Sequence, residues 1–310
     1  MTDQAARLRE IATELQTQQN AGLLSRNALQ RKRVRARVYA VASGKGGVGK
    51  SHIALNVALK LKEAGFLTLL ADADINLANA DILMGYVPKA TLADAVVKNY
   101  PIRDVIYTGP DDIHVLPGGS GFSELIALPE SKQSQMLDQL EELEFNYDYI
   151  IIDIPAGIHK QVLDFISCAS SVLVITTPEP TAIADAYALI KVLTLQKTSV
   201  HFNIIINQVK SEKQAEDIVM KFKLVIGKFL KIPVQYAGYV LTDKHIMDAT
   251  IKQQPFVLLY PKSPAAQCIK KISEQIISQR NILRETNYHR IGERNPESFF
   301  RRMAKFSLIH

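Results

Sequence analysis

The residues best suited to chemistry form a glycine-rich loop that ends in lysine and serine. Residues 44–51 satisfy the pattern G-x-x-x-x-G-K-[ST]. Gly46, Gly47 and Gly49 allow successive backbone N–H groups to point into one concavity, where a phosphate can bind. Lys50 would reach the β- and γ-phosphates, and the Ser51 hydroxyl would bind Mg²⁺. We therefore predict a site for a nucleoside triphosphate with Mg²⁺, contacted by Gly44, Lys45, Gly46, Gly47, Val48, Gly49, Lys50, Ser51 and His52.

Carboxylates follow two apolar runs elsewhere in the chain. Asp72 and Asp74 come directly after residues 67–71, and Asp153 ends the run that begins at residue 149. Ligands of open α/β sheets bind where the strands end. Asp153 is the expected carboxylate for Mg²⁺. Of Asp72 and Asp74, one can hold Mg²⁺ through water while the other orients the attacking water, and the residues alone do not assign the two roles.

Alternating strands and helices must position these groups. Short runs rich in Val, Ile and Leu predict strands at 38–42, 67–71, 113–116, 149–154, 171–176, 202–206 and 234–240. Helical periodicity predicts helices at 51–64, 131–143, 181–195, 212–230 and 264–277. Fully apolar strands separated by helices are typical of a mainly parallel sheet that is covered on both faces. We therefore predict an α/β fold with a doubly wound sheet.

The positive charge of the chain is concentrated at its two ends. Over 310 residues the net charge is +6, with +5 in residues 1–37, −3 in 38–279 and +4 in 280–310.

The 47% hydrophobic content excludes a wholly disordered chain, and no apolar run reaches the roughly 18 residues of a membrane span. The start is not typical of a signal peptide, and two distant cysteines form no disulfide framework. We expect a cytoplasmic protein.

Lys45 narrows the prediction, because an ordinary phosphate loop does not require a lysine at that position. The motif Lys-Gly-Gly-x-Gly-Lys-Ser resembles the deviant Walker A motif of the MinD/ParA family of ATPases. This resemblance implies an ATP-dependent homodimer in which Lys45 reaches the nucleotide of the partner subunit. It also implies that Asp74 is the catalytic member of the Asp72/Asp74 pair and that Asn207 recognises adenine through its amide.

Four further segments resemble the FlhG/FleN branch of that family, which controls flagellar number. They are residues 72–85, the Thr-Pro-Glu-Pro-Thr segment within 176–187, residues 254–264, and the Asp-Gln-Ala-x-x-Leu-Arg motif at 3–9. In that branch the N-terminal motif engages and stimulates the GTPase FlhF, which implies a partner-binding role for Gln4. Regulation of a flagellar transcription activator is a further implication of the resemblance.

Three positions depart from the family pattern. Asn76 stands where the family usually has Gly, and His52 where it often has Asn. Residues 240–243, Val-Leu-Thr-Asp, replace the usual Val-Pro-x-Asp. The third departure puts the second half of the adenine pocket in question, whereas none of the three touches Lys45, Lys50, Ser51, Asp74 or Asp153.

The charged ends predict attachments to a central domain. Residues 3–16 have one apolar helical face and precede a basic linker. The resemblance of residues 3–9 implies that residues 1–37 form a partner-binding segment before an ATPase domain at 38–294. Residues 295–310 predict a basic amphipathic helix. Exposed Phe299, Phe300, Met303 and Phe306 would insert into an anionic membrane. We expect reversible binding at the inner face of the cell membrane, with paired helices of a dimer acting by avidity.

Other functions remain open at this stage. A MinD-type division-site regulator would use the same chemistry and lack the N-terminal motif. A ParA-type DNA segregation ATPase would use the Arg26–Arg37 cluster against phosphates, although the Phe-rich tail argues against direct nucleic acid binding. A scaffold that binds nucleotide without turnover would not need Asp74.

Overall fold

Eight strands form one sheet in the computed structural model, which describes residues 34–74, 79–198, 200–287 and 297–308. They are β1 (Arg37–Ala42), β2 (Thr68–Asp72), β3 (Tyr107–Thr108), β4 (His114–Pro117), β5 (Tyr149–Asp153), β6 (Ser171–Thr176), β7 (His201–Val209) and β8 (Val234–Leu241). Their order is β3-β4-β2-β5-β1-β6-β7-β8, and every neighbouring pair is parallel except β3 with β4. The prediction of a doubly wound, mainly parallel sheet is confirmed.

Helices cover both faces of the sheet. They are α1 (Lys50–Glu63), α2 (Asn79–Met84), α3 (Leu92–Lys98), α4 (Ile102–Val105), α5 (Gly121–Ala127), α6 (Glu130–Asn146), α7 (Lys160–Cys168), α8 (Pro180–Leu195), α9 (Glu212–Phe229), α10 (Lys244–Ile251), α11 (Phe256–Leu259), α12 (Pro264–Asn287) and α13 (Phe299–Leu308). One apolar cluster contains the inner residues of α3 to α9 and α13, and the other mainly those of α1, α2 and α10 to α12. Each cluster packs on one face of the strands. The described helices include none that is long and apolar enough to cross a membrane.

All the predicted strands and helices are present. Their ends lie within three residues of the predicted ends, with the exception of the C-terminal end of α12. Helix α12 continues ten residues past the predicted end at 277, because residues 278–287 lack the apolar periodicity on which the prediction depended. The remaining helices of four to nine residues and the two-residue strand β3 were not predicted. Their segments are too short for a period to be recognised.

Contacts between residues divide the chain into a unit Met1–Arg35 and a unit Ala36–His310. The N-terminal partner-binding helix with Gln4 and most of the basic linker lie outside the described residues, as do Asn76 and the side chain of Phe306. The predictions for these residues therefore stay predictions.

Helix α13 packs against its own domain. The exposed fractions of Phe299, Phe300 and Met303 are 1%, 0% and 1%. The ring of Phe300 lies parallel to that of Phe122 in α5, at a centroid distance of 6.3 Å. The prediction that these side chains are exposed was wrong for this conformation, because a helix that packs on its own domain and one that lies on a membrane have the same apolar stripe.

Polar contacts fix the start of α13 on α6. The Ser298 hydroxyl donates to Glu144 Oε1 at 2.6 Å, and both residues are buried. Arg301 Nε donates to Glu141 Oε2 at 2.5 Å, and its guanidinium also pairs with Asp138. Two basic side chains of α13 therefore differ in role: Arg301 is bound to α6, whereas Lys305 stays exposed beside Glu297.

Phe299→Ala is expected to lower the free energy of unfolding by about 3–5 kcal/mol, as for other buried Phe residues. Lys305→Ala, on the outer side of the same helix, should change it by no more than about 0.5 kcal/mol. Urea denaturation of both variants measures the difference. Equal stability of the two variants would contradict the packed position of α13.

Candidate nucleotide and magnesium site

The glycine-rich loop lies between β1 and α1 and depends on close backbone approaches. Gly47 and Gly49 have φ values of 80° and 87°, which side chains rarely adopt. A Cβ at Gly44 would lie 2.4 Å from the carbonyl oxygen of Asp185, and one at Gly49 would lie 2.3 Å from Nδ2 of Asn207. The loop can therefore curve around an anion only because glycine stands at these positions.

Lys50 and Asp153 form a buried ion pair beneath this loop. Lys50 Nζ lies 2.5 Å from Asp153 Oδ1, and the exposed fractions of the two side chains are 8% and 1%. Asp153 is the last residue of β5, next to β1, so the sheet itself brings the aspartate to the start of α1. Lys50 thus points along the carboxyl edge of the sheet, where the phosphates of a nucleotide would lie.

Asp72 lies beside Asp153 at the same edge. The two residues are register partners on β2 and β5, and both are buried. Asp72 accepts hydrogen bonds from the backbone N–H groups of Asp74 and Ala80 at 3.0 and 3.3 Å. Burial and the charge of Asp153 raise the pKa of Asp72 to about 7. Burial also raises the pKa of Asp153, against the effect of Lys50.

This carboxylate pair fits a divalent cation. Within the described residues, Asp153 Oδ2 is buried and has no hydrogen-bond partner, and the Ser51 hydroxyl contacts the same side chain. The described residues contain no cluster of three or more acidic, His or Cys side chains that could hold a metal by themselves. Mg²⁺ with nucleotides usually has only one or two protein ligands and completes its shell with phosphate and water. Ser51, Asp72 and Asp153 are therefore suited to Mg²⁺ that arrives with a nucleotide.

The raised pKa of Asp72 predicts a pH-dependent stability of the nucleotide-free protein. Because the folded pKa of about 7 exceeds the ordinary value of 3.8, the folded state is favoured by protonation. Its stability should fall as pH rises from about 4 to about 7, by up to roughly 4 kcal/mol at about 1.4 kcal/mol per pKa unit. Asp72→Asn should remove most of this slope, as measured by denaturation at a series of pH values. An unchanged slope would show that a group other than Asp72 causes the pH dependence.

Lys45 is held by residues at the start of α8. Its Nζ lies 2.6 Å from Glu179 Oε1 and 3.1 Å from Thr181 Oγ1. The side chains of Lys45 and Glu179 are 38% and 54% exposed, and the hydrogen bond from Lys45 lowers the pKa of Glu179. Such exposed pairs contribute little to stability, so Lys45 can leave this position at little cost. Glu179 and Thr181 belong to the Thr-Pro-Glu-Pro-Thr segment, but sequence reasoning gave them no role.

Asn207 and His52 pack on either side of the loop and α1. Asn207 is buried near the end of β7, and its Nδ2 donates to the carbonyl oxygen of Val48 at 2.7 Å. The Nε2 atom of His52 lies 3.4 Å from Oγ1 of Thr250 in α10. Burial lowers the pKa of His52. Asn207 therefore joins β7 to the phosphate loop, which is compatible with an adenine contact from its remaining amide atoms.

The divergent segment after β8 is also ordered by hydrogen bonds. Asp243 caps the start of α10, because its carboxylate accepts a hydrogen bond from the N–H of His245 at 3.0 Å. The same carboxylate accepts a hydrogen bond from the N–H of Ala265 at 3.1 Å. Thr242 donates its N–H to the carbonyl of Val209 at 2.8 Å. The aspartate of the family pattern thus keeps a structural role although Leu241 replaces proline.

Asp74 lies at the edge of this site. Its backbone contacts Asp72, and its side chain is half-buried. The described chain resumes at α2. There Asp81 accepts a hydrogen bond from the Tyr107 hydroxyl at 2.6 Å. The ring of Tyr86, just after α2, stacks on the ring of Tyr107 at a centroid distance of 4.0 Å. Sequence reasoning missed this contact, which fixes α2 on β3, because the short strand β3 was not predicted.

Comparison with known proteins is consistent with this arrangement. The model of the ParA family, described as NUBPL iron-transfer P-loop NTPase, matches residues 34–277. The protein named antiactivator FleN from Pseudomonas aeruginosa is 34% identical over 241 residues, covering 78% of this chain and 86% of that protein. The flagellum site-determining protein YlxH from Helicobacter pylori is 28% identical, covering 86% and 89%.

A solved structure shares the fold as well. A chain of the MinC:MinD cell division protein complex from Aquifex aeolicus superposes with a TM-score of 0.64 at 26% identity, covering 78% of this chain and 96% of that chain. The similarity thus spans the domain that carries the loop, the carboxylates and Asn207.

Proposed function

The chain belongs to the ParA family of P-loop NTPases, and from this premise we propose that it is a Mg²⁺-dependent ATPase that regulates flagellar number and placement. ATP closes a homodimer, and slow hydrolysis opens it. The flagellar assignment is supported by the likeness to YlxH, which is named a flagellum site-determining protein, and the regulatory role by the likeness to FleN, which is named an antiactivator. The MinD-type division-site regulator is the alternative, supported by the likeness in fold.

The observation that carries the ATPase proposal is the buried Lys50–Asp153 pair beside Asp72 under a glycine loop. Bound phosphates would compete with Asp153 for Lys50, since both are anionic acceptors. Asp153, Asp72 and Ser51 are then positioned to hold Mg²⁺, which neutralises charge on the phosphates. Asp74 at the rim would orient the attacking water, and Asn207 would contact adenine.

Lys45 is proposed to leave Glu179 and act on the nucleotide of the partner subunit. Lys45→Ala is expected to reduce ATP hydrolysis by about 10²–10³-fold, as does removal of one group that stabilises developing charge. Its thermal unfolding should match that of the wild type, because the Lys45–Glu179 pair is exposed. Phosphate release in the presence of anionic vesicles measures the rate.

Glu179→Gln is the matched control for Lys45→Ala. It breaks the same ion pair and leaves the lysine in place, so hydrolysis should continue. Wild-type hydrolysis by Lys45→Ala would contradict the role of this lysine, and equal loss in both variants would show that the pair itself is what hydrolysis requires.

Membrane attachment is proposed to require release of α13. In the described conformation, Phe299, Phe300 and Met303 face the domain core, so they reach lipid only when α13 leaves α5, α6 and α7. Three apolar anchors and a few basic side chains give weak attachment, and two helices of a dimer would strengthen it. The protein would then move between the cytoplasm and the inner face of the membrane.

Co-sedimentation with anionic vesicles tests this part of the proposal. We expect binding with ATP and little binding with ADP, and loss of binding when residues 297–310 are removed. Glu144→Gln weakens the hydrogen-bond acceptor for the Ser298 hydroxyl. This variant should therefore bind vesicles more strongly than the wild type does in the presence of ADP. Equal binding with both nucleotides, or binding that survives removal of 297–310, would contradict release of α13.

The flagellar role depends on the N-terminal segment. A peptide of residues 1–20 is expected to stimulate an FlhF-like GTPase, and Gln4→Ala should abolish the effect. A GTPase rate unchanged by the wild-type peptide would favour the MinD-type alternative. A flagellar transcription activator is a second proposed partner, which the full chain should bind in its ATP state.

A further inference from the structure

The ends of α8 and α9 form an exposed surface that the nucleotide chemistry does not use. Both helices follow parallel strands and return along one face of the sheet, so both end at the edge opposite the phosphate loop. Leu195 ends α8 with 70% of its side chain exposed, and Leu224 and Phe229 of α9 are 68% and 63% exposed. Exposed apolar side chains mark an interaction site where they belong to one contiguous patch.

The inner side of α9 already accounts for the packing of this helix. Ala215, Val219, Phe222 and Ile226 are buried against the sheet. The exposed apolar residues lie on the remaining circumference, in the rows Met220–Leu224 and Val225–Phe229, each spaced by four residues. Neighbouring rows spaced in this way form ridges into which another helix can pack.

The charge of this surface has one sign. Residues 218–231 contain Lys221, Lys223, Lys228 and Lys231 and no carboxylate. All four side chains are exposed. None of them forms an ion pair with another residue of the described chain. The turn after α8 adds Lys197, and no acidic residue occurs between residues 186 and 200. Charge complementarity therefore requires an anionic partner.

The placement of the apolar residues favours a protein partner over a lipid surface. Leu224 and Phe229 are five residues apart, which separates them by about 140° around the helix axis at 3.6 residues per turn. Both cannot insert into one flat membrane plane, whereas a helix lying across the ridges could contact both. We propose that the surface formed by Leu195, Leu224, Lys228, Phe229 and Lys231 docks an acidic amphipathic helix of another protein.

The docking proposal is independent of the nucleotide cycle, because the surface lies at the far edge of the sheet. It would stay accessible when the phosphate-loop edges of two subunits meet. Variants of this surface should therefore hydrolyse ATP at the wild-type rate, which separates failure of the docking proposal from failure of the proposed ATPase.

The test measures fluorescence anisotropy of a labelled synthetic helix bound by the full chain. The probe is a 16-residue peptide with Leu on one helical face and Glu on the other, and a scrambled peptide of equal composition is its control. We expect the amphipathic peptide to bind at least about tenfold more tightly than the scrambled one, with affinity falling as salt rises. Leu224→Glu and Lys228→Glu should each weaken binding about tenfold, as expected for a central contact.

Val97→Glu is the matched control. Val97 is 71% exposed beside Lys98 on α3, so it places the same charge on a comparable position of another helix, and it should leave the affinity within about twofold. Thermal unfolding confirms that each variant is folded. Equal binding of the two peptides, or wild-type affinity in both Leu224→Glu and Lys228→Glu, would overturn the proposal. Binding to anionic vesicles that Leu224→Glu abolishes and that the peptide does not displace would assign the surface to lipid instead.

Discussion

Lys50→Met is expected to abolish ATP hydrolysis and to destabilise the nucleotide-free protein. The substitution removes the cation that would contact the phosphates, so the rate should fall about 10³-fold. It also leaves Asp153 buried without its partner. Breaking a buried pair in this way costs about 3–5 kcal/mol. Phosphate release and urea denaturation near pH 8, where carboxylates are most fully ionised, measure the two effects.

The double variant Lys50→Met/Asp153→Asn separates the two causes. Without the unpaired charge, most of the lost stability should return, because replacement of both partners of a buried pair is often nearly neutral. Hydrolysis should stay lost, since both the phosphate contact and a Mg²⁺ ligand are missing. If the double variant is as unstable as Lys50→Met, the loss comes from packing and not from the charge of Asp153.

Asp74→Ala is expected to reduce hydrolysis by about 10²–10⁴-fold, the range for a group that positions or activates the nucleophile. Binding of ATP should change little, because Asp74 lies at the rim of the site while Lys50, Ser51 and Asp153 remain. The variant should therefore accumulate in its ATP state. Single-turnover phosphate release and binding of a fluorescent ATP analogue distinguish the chemical step from binding.

Asp81→Asn is the control for Asp74→Ala. Asp81 is a carboxylate of the same region, and it accepts a hydrogen bond from the Tyr107 hydroxyl. An Asn oxygen can accept the same hydrogen bond, so hydrolysis should stay near the wild-type rate. Equal loss in both variants would indicate that the order of α2, and not the Asp74 carboxylate, limits the rate.

The phosphate loop and its strands could be predicted because their signals are local. Gly44 to Ser51 is one continuous motif, and buried parallel strands appear as continuous apolar runs. Asp72 and Asp153 could be placed at one edge because parallel strands end together. What the sequence could not show is the contact between them, with its raised pKa at Asp72. That effect depends on the order β2-β5-β1 and on burial.

Pairings between distant segments were harder to predict. The Lys45–Glu179 contact joins residues 134 positions apart, and no local sequence pattern links the two side chains. The position of α13 depends on Glu144 and Ser298, which are 154 positions apart. An apolar stripe with lysines and arginines cannot distinguish an element that packs on its own domain from one that binds lipid. Only the buried Glu144 acceptor and the rings around Phe300 identify the surface that α13 covers.

ATP-dependent dimerisation is tested most directly by the molar mass of Asp74→Ala in solution, measured by light scattering with Mg²⁺ and either ATP or ADP. The protomer has a mass of 34.5 kDa. We predict about twice that mass with ATP and the protomer mass with ADP, with Lys50→Met remaining a protomer in both. A single mass for Asp74→Ala that does not depend on which nucleotide is present would contradict the proposed switch.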